Sequence, residues 1–297
     1  MNSTNKKNNY PSARISRLLV YPIKSCGPME VQQIELTDTG LSLDRHWMLV
    51  DETGQFLTQR QHPRLALVSP HLKLSDLILK APGMLSLHLS LNFVDSPVKV
   101  RIWGEEVSAF DMGDFAAQWF SEFLNQGLSS SPLSRVRLAR FDPDHLRLAD
   151  PKWTKGVQAL NQFSDGFPLL LVGESSLTHL NERLASAGFS PVTIERFRPN
   201  IVLQGWPPHE EDSMTQLEIA SNPESVIMKP VKPCSRCSIP DIDPITALSG
   251  SEVSTILQKY RKDPRLSGAI SFGMNCITLS GFESILKVGQ EVFGETT

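Results

Sequence analysis

The 297-residue chain has little cysteine: Cys26, Cys234, Cys237 and Cys276 are all it holds, two of them three positions apart and the others isolated. So few at such spacing cannot staple a fold of this size, which excludes a disulfide-built scaffold. Long apolar runs are missing too. The longest, Phe167 to Val172, falls far short of the ~20 residues a membrane helix needs. The opening MNSTNKKNNYPSAR lacks the apolar core of a secretory signal. Net charge is only −3, so no global basic field recruits nucleic acid or an anionic membrane. Regular strand–helix alternation is absent as well, which argues against a doubly wound parallel sheet. The expectation is a cytoplasmic protein with neither nucleic-acid nor membrane partners, its functional cations grouped around one small anion.

What is present is apolar material: 40% hydrophobic residues, with five Trp and fourteen Phe. That suffices for one large core or two ordinary ones, and the length favours two domains. Residues 1–12 read as a disordered tail. From Ile15 onward RISRLLVYPIKS, VQQIELT and VKVRIWG read as strands, the last with Val98, Val100 and Ile102 on one face, and residues 46–60 read as a hairpin. DFAAQWFSEFLNQG reads as a helix that buries Phe115, Ala116, Trp119, Phe120, Phe123 and Leu124, with Asp114 as cap and Gly127 at its end. Residues 129–156, rich in Ser, Pro and Asp, read as a connecting segment with some strand at VRLARF. The second half opens on the buried strand FPLLLVG, followed by a helix over about 175–187. Further strands follow in RFRPNIVLQG, SVIMKPVKP, CITLSG and ILKVGQEV, with a helix near VSTILQKYRK. The pattern gives two β-rich domains, 13–128 and 157–292, with a few covering helices.

The most informative stretch is KPCSRCSIPDIDP at 232–244. A Cys-x-x-Cys pair has three readings. A structural zinc site needs a second ligand pair, and neither Cys26 nor Cys276 has a partner at metal spacing. A dithiol couple normally opens a helix, whereas a proline follows Cys237 within three residues here. Two buried cysteines acting as small hydrophobes is the bland reading. Against it, Arg236 between them and Lys232 upstream favour a thiolate, the form that binds a soft metal. Asp243 is near enough in sequence to suggest a proton donor, but Asp-Pro is also an ordinary turn. Elsewhere YPIKSCG at 21–27, LDRHW at 43–47, RQHPR at 60–64, FSDG at 163–166, FRPN at 197–200 and SFGMN at 271–275 scatter basic groups, hydroxyls and turn signatures. Singly, each can be turn chemistry.

Taken in order, KSCG, LDRHW, QRQHPRL, FSDGFPLLL, FRPNIV, KPCSRC and FGMN resemble the MOSC-domain proteins, in which an N-terminal MOSC β-barrel domain precedes the MOSC domain. Relatives of this kind include the mitochondrial amidoxime-reducing component and bacterial YcbX proteins, and the resemblance spans roughly residues 13–292. It implies an α+β, mainly β fold: a β-barrel-like MOSC domain, a smaller β-rich N-terminal domain and a few covering helices. It also implies a molybdenum cofactor, Mo-molybdopterin, and reduction of N-hydroxylated compounds such as amidoximes, hydroxylamines and N-hydroxylated bases. By resemblance, Cys237 is the catalytic metal ligand, and Ser235 and Arg236 contact the pterin. Lys24, Ser25 and Arg45 hold pterin and phosphate, as do Arg198 and Asn200 from the second domain. Ser164 and Asp165 belong to a contacting turn, although the threonine–serine of some relatives is Gly166–Phe167 here. Asn275 stands where some relatives have tyrosine, so only a backbone role carries over. Some relatives add a ferredoxin domain with cysteines spaced C-x4-C-x2-C. That pattern is absent, so electrons are expected from a separate protein. The alternative is a cofactor-binding, carrier or sulfur-relay protein without turnover. Sulfurases of that type also need a pyridoxal-phosphate domain, for which the MOSC regions leave no room.

Overall fold

Runs such as LLLVG are apolar without alternation because both faces of their strands are covered. In the computed structural model, which describes residues 11–126, 135–221 and 224–296, seven strands close into a barrel. Around it lie, in order, Leu169–Gly173, Ile201–Gln204, Ser12–Val20, Glu291–Thr296, Met214–Ile219, Val226–Ser235 and Ala269–Ser280. The last pairs back onto the first through Leu169↔Cys276 and Leu171↔Met274. Leu18, Val20, Leu169, Leu171, Ile201 and Leu203 join one core cluster with Trp47, Phe120 and Phe123. The alternate residues Leu19, Tyr21, Leu170, Val172 and Val202 join a second, with Leu180 and Leu184 of the helix Glu174–Ser186 and Val253 and Leu257 of the helix Glu252–Tyr260.

The mainly β, α+β expectation holds, but the two halves are interleaved. The first strand, Ser12–Val20, is part of the barrel otherwise built from the second half. Arg137–Phe141, placed by sequence in the connecting segment, pairs with Trp47–Val50 in a sheet completed by Glu105–Asp111 and Pro97–Ile102. Late in the chain, Ile285–Lys287 pairs with Gln33–Thr37. The 46–60 hairpin shrinks to a single bridge, Val50↔Phe56. Most of the expected tail, Gly127 and the start of the connecting segment lie outside the described residues.

The helix Gly113–Asn125 buries Ala116, Ala117, Trp119, Phe120, Phe123 and Leu124, whereas Phe115 is 85% exposed. At about 100° per residue the buried arc runs from Trp119 through Phe120 to Ala117, and Phe115 falls outside its edge. Asp114 does not cap; the N-cap is Met112, without a side-chain bond, and Asp114 pairs with Arg135 and Arg137. No helix among the described residues is long and apolar enough to cross a membrane.

Barrel closure leaves no room at Gly273. Its φ is +79°, and a Cβ there would lie 2.6 Å from Val172 Cγ2 and 2.7 Å from the Leu171 carbonyl oxygen. Gly188 has a similar φ of +81° but open space around it. Gly188→Ala should therefore cost only the backbone strain, ~1–2 kcal/mol. Gly273→Ala should add overpacking of ~1–3 kcal/mol. Denaturant titration of both variants checks the difference; equal losses would mean that the seam is not tight.

Candidate active site

Three of the expected site residues adopt left-handed backbone geometry: Ser25 (φ 70°), Arg45 (φ 51°) and Arg198 (φ 58°). For a non-glycine residue this costs ~1–2 kcal/mol, and such strain clusters at functional sites. All eleven expected residues, from Lys24 and Ser25 to Cys237 and Asn275, line a single cleft of about 120 Å³. They come from segments that are far apart in the chain.

The charge in this cleft is unbalanced. Its lining carries five cations, Lys24, Arg45, Arg60, Arg198 and Arg236, against two carboxylates, Asp44 and Asp165. Both carboxylates are committed. Asp44 accepts from Arg45 Nη1 on both oxygens at 2.6 Å. Asp165 accepts from Lys24 Nζ at 2.5 Å and from Trp103 Nε1 at 3.1 Å. Lys24 also donates to the Phe163 carbonyl at 2.8 Å. Desolvation pulls the buried Lys24 below its ordinary value, with Asp165 opposing. Desolvation would raise Asp165, but the charge and hydrogen bond of Lys24 hold its carboxyl well below the usual range. With 70% of the Asp165 side chain accessible, Lys24 rather than burial sets its state.

Arg60, Arg198 and Arg236 are left without a carboxylate among the described residues. Arg198 donates Nη1 to the Cys26 carbonyl at 2.7 Å, while its buried Nη2 has no partner. Arg236 donates Nη1 to Cys234 Sγ at 3.0 Å and Nη2 to the Phe197 carbonyl at 2.9 Å, leaving its buried Nε without one. Burial, reinforced by the charge of Arg45, lowers Arg198 to about 10, so it stays cationic at neutral pH. Arg45 and Arg198 each lie 4.3 Å from the ring centroid of the buried Tyr21. A buried donor left unpaired costs ~1–3 kcal/mol, and an uncompensated cation costs more. The arrangement suits an anion.

The two cysteines at 234 and 237 differ. Cys234 is half-buried, packs against the second core cluster and accepts from Arg236. Cys237 is exposed at the cleft, a free thiol without a hydrogen bond among the described residues. Arg236, which lies between the two sulfurs in sequence, thus serves Cys234. Lys232 points elsewhere, over Trp153 and Phe167 at 5.3 and 5.7 Å.

Other expected residues reach the cleft with their side chains already engaged. The Asn200 amide accepts from Leu170 N at 3.1 Å and donates to the Leu19 carbonyl at 3.3 Å, clamping two barrel strands. Ser164 donates to Asn161, and Asn275 donates to the Lys232 carbonyl at 3.3 Å. The Ser25 hydroxyl makes no hydrogen bond among the described residues. Asp243 does not line the cleft. It pairs with Arg196 at 3.1 Å and accepts from the backbone of Ile245 and Thr246, the turn reading.

Sequence reasoning missed Tyr21, Asp44, Trp103 and Arg147. Asp44 was visible beside Arg45, and Tyr21 stood at the head of the YPIKSCG motif without a role of its own. Buried Arg147 donates to Asn161 Oδ1 and to the carbonyls of Gln162 and Ser164, shaping the 161–166 loop from behind. It sat in a segment that reads as linker.

Comparison with known proteins adds a second line. A family model described as the MOSC N-terminal beta barrel domain matches residues 12–127, and one described as the MOSC domain matches residues 159–293. Mitochondrial amidoxime reducing component 2 of Rattus norvegicus is 35% identical, over 95% of this chain and 81% of that protein. Mitochondrial amidoxime-reducing component 1 of Homo sapiens is 34% identical, over 84% of this chain and 73% of that protein. A solved structure, the YUAD protein of Bacillus subtilis, aligns over 96% of this chain and 97% of its own at 11% identity and a TM-score of 0.40, too loose to carry an argument.

Lys24 and Arg198 should not be equal anion anchors, because Asp165 already neutralises Lys24. An anion bound only by the native state stabilises it by mass action, so inorganic phosphate should raise the thermal midpoint of the wild type. Arg198→Ala removes a charge-assisted contact of ~1.5–3 kcal/mol, which weakens phosphate by ~10-fold or more. Lys24→Ala should weaken it less. Identical phosphate-induced shifts in wild type and Arg198→Ala would rule out Arg198 as the anchor.

Proposed function

The chain belongs to the MOSC-domain family that includes the mitochondrial amidoxime-reducing components, and from that premise we propose that it reduces N-hydroxylated compounds with a molybdenum cofactor and electrons from a separate redox protein. Amidoximes, hydroxylamines and N-hydroxylated bases are the substrate class. The observation that carries this reading is the free Cys237 thiol in a cleft with a surplus of guanidinium charge, two of whose N–H groups are buried without a partner.

The donor set fits Mo-molybdopterin. Among the described residues no three His, Cys, Asp or Glu side chains gather to hold a metal. A metal at Cys237 therefore needs its other ligands from a non-protein group, and the partnerless donors of Arg198 and Arg236 call for that group to be anionic. A pterin bearing a dithiolene and a phosphate meets both needs. When bound, it supplies the two-electron chemistry that deoxygenates the N–OH group.

The protein's own residues do the rest. Cys237 gives the one sulfur ligand from the chain. Arg198 Nη2 and Arg236 Nε donate to the anionic group, and the Ser25 hydroxyl is available to it. Arg45 braces Arg198 by donating Nη2 to its carbonyl at 3.1 Å. Lys24 ties Phe163 and Asp165 of the 161–166 loop to the end of the first barrel strand, and Asn200 clamps two barrel strands. The four free thiols suit a reducing compartment such as the cytoplasm.

Two outcomes test the reading. With molybdenum-loaded protein, an artificial low-potential donor and a model amidoxime, Cys237→Ala should lose turnover per bound molybdenum by ~100-fold or more, a barrier increase of ~3 kcal/mol. Cys234→Ser, which keeps an acceptor for Arg236, should retain most of it. Equal loss in both would point to a dithiol or zinc pair, and binding without turnover in the wild type to a carrier. Secondly, NADH alone should drive no reduction by the isolated chain, while the artificial donor restores it. Robust NADH turnover without a partner would remove the separate electron donor.

A further inference from the structure

Two of the three unmatched guanidiniums, Arg198 and Arg236, each keep one buried N–H group without a partner. The third, Arg60, is exposed and lines the mouth of the same cleft. An exposed arginine is ordinarily a solvated surface residue, but several features set this one apart.

Its backbone is anchored. The preceding Gln59 is buried and donates Nε2 to the Ser25 carbonyl at 2.6 Å, and the chain turns tightly here, with the amides of Gln61 and His62 donating to the Thr58 carbonyl. Its side chain is also supported, with the guanidinium carbon 4.7 Å from the ring centroid of Trp103. That indole is itself fixed. It donates Nε1 to Asp165, packs 4.9 Å from Phe56 and stands on a left-handed residue (φ 52°) at a hairpin tip. Half of Trp103 nevertheless remains exposed, at 51%, which is unusual for so large an apolar side chain held by three neighbours.

Arg60 also has no counter-charge. It makes no ion pair or hydrogen bond among the described residues, and both carboxylates of the cleft wall are committed to Arg45 and Lys24. A cation held over an aromatic face keeps its N–H fork free while losing little further freedom on binding. The planar fork matches a carboxylate with two parallel hydrogen bonds. Arg60 is the exposed member of the cleft's five cations, so an anion arriving from solvent meets it before the part-buried Arg198 and Arg236.

We propose that Arg60, supported by Trp103, forms a second anion subsite that binds a carboxylate on the substrate, so that the cleft favours N-hydroxylated substrates carrying an acidic group. This rests on the reductase reading above. The same chemistry would also hold a second phosphate on the cofactor, and the experiment separates the two sources.

Molybdenum-loaded wild type, Arg60→Ala, Arg60→Lys and Trp103→Leu are compared, with an artificial donor, on benzamidoxime and on benzamidoxime bearing a ring carboxylate. Molybdenum and pterin content are measured for each variant. In Arg60→Ala the ratio of kcat/KM for carboxylated over neutral substrate should fall about tenfold, carried by KM, equivalent to ~1.4 kcal/mol. Arg60→Lys should recover part of the ratio, and Trp103→Leu should lower it less than Arg60→Ala. Raised salt should narrow the ratio in the wild type, because an exposed pair is screened. An unchanged ratio in Arg60→Ala overturns the subsite. Parallel loss on both substrates with reduced pterin content overturns it in favour of a cofactor phosphate. Wild type that reduces neither substrate overturns the reductase reading itself, and the subsite with it.

Discussion

Placing a guanidinium in the interior without a counter-ion costs several kcal/mol, and the surroundings of Arg198 are organised by that constraint. Its Nη1 is satisfied by the Cys26 carbonyl and its carbonyl by Arg45 Nη2. The Tyr21 ring accepts both cations on its π system at 4.3 Å. Desolvation and the Arg198 charge oppose each other at a neighbouring acid: burial pushes the Cys26 thiol up to about 12, while Arg198 pulls it down. These contacts hold the charge in place without neutralising it. The strained backbones of Ser25, Arg45 and Arg198 belong to the same account, since each left-handed turn places a cleft-lining residue at a cost of ~1–2 kcal/mol.

That constraint also gives the interleaved fold a consequence. Tyr21, Lys24 and Ser25 follow directly on the first barrel strand, whereas Arg45 lies in the N-terminal half and Arg198 and Arg236 in the second. The 161–166 loop is tied to both: Phe163 N donates to the Arg45 carbonyl, and Lys24 reaches the Phe163 carbonyl and Asp165. Neither half could present the charge surplus alone. Because Ser12–Val20 sits between Ile201–Gln204 and Glu291–Thr296, displacing the N-terminal strand would open the barrel and scatter the cleft together.

Much of this was legible in the sequence. The β-rich class followed from period-two strands, and the eleven residues that meet at the cleft were named by family resemblance, which carries positions along the chain even when contacts are invisible. Side-chain direction was not legible. Arg236 between two cysteines could serve either, and only the strand ending at Ser235 turns it toward Cys234. Asn200 beside Arg198 looked like a ligand-binding amide, yet burial between strands spends it on Leu170 and Leu19. Phe115 fits an apolar repeat, but which arc of a helix is buried depends on the sheet beneath it. Tyr21 and Arg147 were unreadable for a common reason. Each works by touching residues far away in sequence, and nothing local distinguishes them from core and linker.

The asymmetry of Cys234 and Cys237 shows how a pair identical in type acquires two roles. A sulfur that packs in a core and accepts a 3.0 Å hydrogen bond from a guanidinium has its geometry set by its neighbours. Moving it toward a metal would break that contact and leave two Arg236 nitrogens unpaired rather than one. Cys237 lies beyond the end of the Val226–Ser235 strand, before the short turn Ile239–Asp241. That turn is held from behind by Arg196, which donates to the Pro240 carbonyl and pairs with Asp243 and Glu252. The backbone around Cys237 is therefore fixed while its sulfur stays uncommitted. A metal-binding residue needs both properties, since ligation to a soft metal demands a defined position and a lone pair that nothing else is using.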